Sequence, residues 1–190
     1  MGGIYTEPVY GLVNKSLCTF LRGYEGGDAL IRQLAKAGAI PELGFETYEI
    51  YDDAVTFQIV GAACEQLHIA PKDVLNDFGR HWIAVVAPSF FPALVELAGT
   101  TISSFLNALN LIHDRGHAMF PDYQPPSFRV EGDWESSGEV KVYYVSHREG
   151  LEEFMRGLLL GIGDRYQVKL QIEIGDPNPV TGEICFALAQ

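Results

Sequence analysis

The sequence predicts an α+β fold: a helical N-terminal subdomain packed on an antiparallel sheet of about four strands, with one inserted helix. Three observations carry that prediction. Up to about residue 120, apolar residues recur at helical spacing, with breaks at Gly, Pro and Asp. After Pro126 the texture changes to short alternating segments, FRVEGD, EVKVYYV, YQVKLQIEI and EICFALA. Between the second and third of these, GLEEFMRGLLLGIG has the length and spacing of a helix. Two packed subdomains leave a crevice, a usual place for a ligand.

The elements follow in order. DALIRQLAKAG reads as a helix opening at Asp28 and closing at Gly38. YDDAVTFQIVGAACEQLHI offers Asp52 or Asp53 as N-cap, then sets Val55, Ile59, Ala63 and Leu67 on one stripe. PKDVLNDFGRHWIAVV continues with Val74, Leu75, Phe78 and Trp82. In TTISSFLNALNLIHDRGHAMFP, Thr100 or Thr101 can cap a helix whose apolar stripe is Ile102, Phe105, Leu106, Leu109 and Ile112. No repeat, low-complexity tract or linker divides the chain, so residues 1–190 are expected to form one domain.

A 47% hydrophobic content in 190 residues is enough for a sizeable core. With 25 acidic against 13 basic side chains the net charge is −12, which predicts repulsion from nucleic acid and from anionic membrane and leaves basic or neutral partners. MGGIYTEPVYGLVNKS lacks a cationic segment followed by an apolar run, so no secretory signal is read there. The most apolar run, WIAVVAPSFFPALVELAG from Trp82, contains prolines and a glutamate and is too short to span a bilayer convincingly. A cytoplasmic protein without membrane insertion is expected. Cys18, Cys64 and Cys185 are odd in number and lack a C-x-x-C spacing, so they read as buried free thiols rather than a disulfide or zinc framework.

Two clusters carry chemistry. His113 is the next position on the Ile102–Ile112 stripe, where a neutral imidazole must find a partner for each ring nitrogen. It reads either as a structural core histidine or as a metal ligand, imidazole being a common axial ligand to haem iron. His117, four residues on, completes an H-x-x-x-H pair that with Asp114 or Asp122 can grip a metal, the reading of a metal-dependent enzyme. In YYVSHREGL, an extended chain places Tyr144, Ser146 and Arg148 on one surface and Val145 and His147 on the other. A solvated strand face is the plain alternative.

Taken together, YGLVNKSL, YDDAVTFQIVGAACEQL, LIHDRGHAMFPDYQPPSF and the Y-x-S-x-R of YVSHREGL resemble the haem-nitric oxide/oxygen binding (H-NOX) family, which includes the sensor domain of soluble guanylate cyclase. The resemblance runs from about Tyr10, leaving residues 1–9 as an extra segment. It implies a protoporphyrin IX haem (haem b) in the crevice, with His113 as proximal iron ligand. Tyr144, Ser146 and Arg148 would hold the propionates, and Pro126 would distort the macrocycle. Val13, Leu17, Trp82, Val86 and Phe154 would line the distal pocket.

Oxygen-binding members place a tyrosine on the helix after Y-x-S-x-R. The matching residue here is Phe154, so the resemblance implies a sensor for nitric oxide and carbon monoxide that excludes oxygen. Trp82, the only distal residue with a donor, leaves open an oxygen-binding sensor. Where cyclase-like members carry an aspartate, three residues before the ligand, this chain has Asn110. No cyclase, kinase or coiled-coil output segment is expected after Gln190. A sensor without catalytic activity is expected, regulating a separate protein such as a histidine kinase or diguanylate cyclase.

Overall fold

The computed structural model describes residues 8 to 190, and the chain separates into two compact units, one ending at Phe78 and one running Gly79–Gln190. Most of the expected N-terminal extension, residues 1–7, lies outside the described residues.

The first unit is helical, as its spacing predicts. A short strand β1 (Pro8–Tyr10) pairs antiparallel with β2 (Ile50–Asp52), a pairing the sequence did not suggest because each strand has only three residues. Between them lie α1 (Gly11–Leu21) and α2 (Gly27–Lys36). The Asp52 side chain accepts the Ala54 N–H at 2.8 Å and caps α3 (Asp53–Leu67), which is followed by α4 (Pro71–His81). Leu17, Leu21, Leu30, Ile59, Ala63 and Val74 fill the core, and Thr56 donates to the buried Asn14 Oδ1 at 2.7 Å.

The second unit begins at the end of α4. The chain continues through a π-helical turn (Trp82–Val86), α5 (Ala87–Phe90), α6 (Pro92–Leu97) and the long α7 (Ile102–Met119). Thr101 caps α7 reciprocally with Ser104. Strands β3 (Ser127–Gly132), β4 (Glu139–Val145), β5 (Gln171–Ile174) and β6 (Ile184–Ala189) form a four-stranded antiparallel sheet in the order β3-β4-β6-β5. The expected inserted helix is α9 (Glu152–Arg165), after a short α8 (Trp134–Ser137) capped by Asp133. β5 is shorter than YQVKLQIEI suggests, because the end of α9 takes up the first residues: Gln167 has φ 59° and the Val168 N–H returns to the Gly163 carbonyl at 2.9 Å.

One sheet face is apolar and packs against α7 and α9. Val140, Val142 and Tyr144 of β4 and Ile184, Phe186 and Leu188 of β6 share it, with Phe105, Leu106, Leu109, Met155, Leu159 and Ile162 of the helices. The opposite face is polar. There Arg129 stacks 3.7 Å over the Tyr143 ring and pairs with Glu183 at 2.9 Å.

Candidate functional site

Helix α7 decides where the histidine goes. Its stripe from Ile102 to Leu109 is buried, and four residues past Leu109 the same stripe delivers a half-buried His113. The ring Nδ1 lies 2.7 Å from the Leu109 carbonyl oxygen. A carbonyl has no proton to give, so Nδ1 carries it and Nε2 of the neutral ring holds the lone pair. Burial lowers the imidazole pKa, opposed by the Leu109 bond and by Asp114. The helix thus presents a neutral ring of fixed tautomer with one nitrogen able to ligate.

From His113 a row of rings leads to the sheet. Phe128 lies with its centroid 5.0 Å from that of His113 and 5.7 Å from that of Tyr144. The last two rings meet because Phe128 and Tyr144 are directly paired across β3 and β4. Tyr144 is buried on the core face beside Val142, so the solvated-face alternative does not hold for it.

The motif converges differently from the expected pleat. β4 ends at Val145, and Ser146 and Arg148 lie beyond it in a bend where the Arg148 N–H donates to Ser146 Oγ at 3.1 Å. The three side chains are nonetheless neighbours. Burial raises the Tyr144 pKa, while its hydrogen bond with Ser146 and the charge of Arg148 pull it back. Pro126 is half-buried two residues before Phe128.

Sequence reasoning missed Tyr123. Its ring stands 6.4 Å from His113, burial pushes its pKa far up, and it feels both Tyr144 and Arg148. Its position depends on the path of the loop after α7, which no periodicity encodes. His117 sets that path: its Nδ1–H donates to the Tyr123 carbonyl at 2.6 Å. His117 is itself exposed, and among the described residues no three His, Cys, Asp or Glu side chains gather as a metal would need. The paired-histidine reading therefore lacks its remaining ligands.

The residues expected on the distal side fall in both units. Within the first, Leu17 is fully buried and Val13 half-buried on α1. Within the second, Trp82 opens the π-helical turn and Val86 closes it, the Ala87 N–H reaching back to the Trp82 carbonyl. Pro88 follows at once; it has no N–H, and its ring would clash with the Ala84 carbonyl in a tight α-turn, so a wider turn fits here. Trp82 meets Phe154 of α9 edge-on, centroids 6.3 Å apart. Gly79 and Gly161 permit this approach: a Cβ at Gly79 would lie 2.3 Å from the Phe154 carbonyl oxygen, and one at Gly161 2.9 Å from Ile83. A separate trough of about 680 Å³ involves Glu131, Lys141, Glu173 and Ala187 and includes none of these residues.

Comparison with known proteins gives the family and the fold. Residues 10–174 match the family described as Haem-NO-binding. The soluble guanylate cyclase gcy-31 of Caenorhabditis elegans is 22% identical over 170 residues, which cover 88% of this chain and 24% of that protein. For gcy-33 of the same organism the values are 24% over 167 residues, 88% and 17%. The chain thus spans about a quarter or less of the length of these curated relatives. The fold is shared with the unliganded Fe(II) H-NOX protein of K. algicida (TM-score 0.78, 16% identity, 95% of this chain and 96% of that one). It is shared also with the Fe(II)NO H-NOX protein of S. oneidensis (TM-score 0.77, 17% identity, 95% and 98%). The family match extends over both units and takes in His113 and the Y-x-S-x-R segment: the chain belongs to the haem-NO-binding (H-NOX) family of gas-sensor domains.

Proposed function

We propose that this chain holds haem b and senses nitric oxide, with carbon monoxide as a second ligand and oxygen excluded. One observation carries the reading: the sole nitrogen His113 has left for a ligand is Nε2, held in tautomer and orientation by the Leu109 carbonyl. The neighbouring chemistry fits the group. Arg148 can fork onto one carboxylate while the hydroxyls of Ser146 and Tyr144 donate to propionate oxygens, a cationic and donor-rich spot on a chain of net charge −12. Pro126 would press on the macrocycle. When bound, the ferrous haem supplies an open coordination position for a diatomic gas.

The chain's own residues would hold, orient and discriminate. His113 anchors α7 to the group, Arg148 neutralises propionate charge, and Trp82, Val86 and Phe154 offer a wall without a hydroxyl. The output would pass to a signalling protein such as a histidine kinase or diguanylate cyclase, through a surface that is basic or neutral given the charge here. Three free cysteines fit a reducing, cytoplasmic setting, and among the described residues no helix is long and apolar enough to cross a membrane.

The test is the absorption spectrum of the purified, reduced protein alone, in carbon monoxide and in nitric oxide. An intense Soret band that moves with each gas is expected. Protein that stays colourless with ample haem supplied would return His113 to a packing role.

A further inference from the structure

Asn110 stands one helical turn before His113 on α7, and its side chain makes two hydrogen bonds to a single residue. Asn110 Nδ2 donates to the Phe128 carbonyl at 2.7 Å, and the Phe128 N–H donates to Asn110 Oδ1 at 2.9 Å. The pair copies the reciprocal exchange that an adjoining strand would make, and a carboxamide supplies both donor and acceptor for it. An aspartate at this position could accept the N–H but would set an oxygen against the Phe128 carbonyl. The clamped residue is the one whose ring lies 5.0 Å from His113 and 5.7 Å from Tyr144. The Leu109 bond to His113 lies within α7 and moves with it; the Asn110 pair ties the same turn to β3.

We propose that Asn110 is the positioning residue of the histidine site. By locking α7 to the backbone of Phe128 it fixes where His113 presents Nε2, and so sets the strength of the bond from that nitrogen to the haem iron. The proposal rests on the haem reading above. Without the amide, α7 would be held against β3 at this level by packing alone, and the histidine could draw back along with its helix.

The experiment reads the iron–histidine stretching band by resonance Raman in the ferrous, gas-free protein, for the unaltered chain, Asn110→Ala and Asn110→Asp. Each is repeated in a His113→Gly background with imidazole supplied, where the ligand is no longer tethered to α7. The band should move to lower frequency in both tethered variants and stay in place in the untethered ones. Hydrogen exchange at the Phe128 amide, followed in haem-free protein as well, should quicken about fivefold or more in Asn110→Ala and less in Asn110→Asp, which keeps one acceptor. An unmoved or raised band in the tethered variants, or an equal shift in both backgrounds, overturns the proposal and leaves haem binding intact. A His113→Gly protein that keeps the original band without imidazole would show another histidine on the iron and overturns His113 as its ligand, whereas unaltered protein that takes up no haem overturns the haem reading itself. Should Asn110→Ala fail to fold, Asn110→Asp and Asn110→Ser carry the same comparison.

Discussion

His113 and His117 lie one turn apart on α7, yet one is half-buried among aromatic rings and the other is exposed and bonded to the loop. Substitution should separate them. His113→Gly is expected to lose most haem and to regain it when imidazole refills the space, whereas His117→Ala keeps it; loss in both would revive the paired-histidine reading. Arg148→Leu should weaken haem retention more than Ser146→Ala, since a charge-assisted contact is worth about 1.5–3 kcal/mol and a neutral one about 0.5–1.5. Equal and negligible haem transfer to apomyoglobin from both variants would mean that the propionates are held elsewhere. Cys18 offers a pH test in the first unit. Burial raises its thiol from 9.0 to about 11, so the folded chain keeps a proton that the unfolded chain loses above pH 9. Stability should therefore be full below pH 9 and fall as pH rises toward 11, and Cys18→Ala should flatten that part of the denaturant-midpoint profile. His113 was legible in the sequence because it continues an apolar stripe. Tyr123 was not, because its place comes from a hydrogen bond between the end of α7 and the loop beyond it.

Among the elements, regular helices were legible and departures from regularity were not. α2, α3, α7 and α9 begin and end close to where caps and periodicity put them. The π-helical turn escaped because its widening follows from Pro88 and from the packing of α9, neither of which alters the hydrophobic period before it. The Y-x-S-x-R segment looked like continuous strand because alternation in sequence persists past Val145, where the backbone pairing stops. Two glycines make the packing argument quantitative. At Gly79→Ala the new methyl would meet the Phe154 carbonyl oxygen at 2.3 Å and the Leu158 nitrogen at 2.8 Å, backbone atoms of α9 that yield only if the helices part. A loss of about 1–3 kcal/mol in urea unfolding is expected. Gly61 on α3 is exposed with nothing within 4 Å of a Cβ, so Gly61→Ala should gain about 0.5–1 kcal/mol. A gain of stability in Gly79→Ala as well would show that the approach of Gly79 to α9 is looser than described.

At the scale of the whole molecule, the proposed gas selectivity would rest on what the residues expected on the distal side lack. Val13, Leu17, Val86 and Phe154 carry no hydrogen-bond donor, and Trp82 carries one N–H. Oxygen gains negative charge on binding ferrous haem, and a buried donor beside it is worth about 1.5–3 kcal/mol, the difference between a lasting complex and none. Nitric oxide needs no such help, so a wall without donors discriminates by withholding the bond from oxygen. The indole is the one exception to weigh. Trp82 packs edge-on against Phe154, and a large ring so placed acts as a wall unless its N–H turns toward the ligand. The reduced, haem-loaded protein exposed to air is therefore expected to keep its ferrous spectrum or drift slowly to ferric. Phe154→Tyr, which sets a hydroxyl on the wall, should confer stable oxygen binding. If the unaltered protein binds oxygen stably and Trp82→Phe abolishes it, the indole is the donor and the exclusion of oxygen fails.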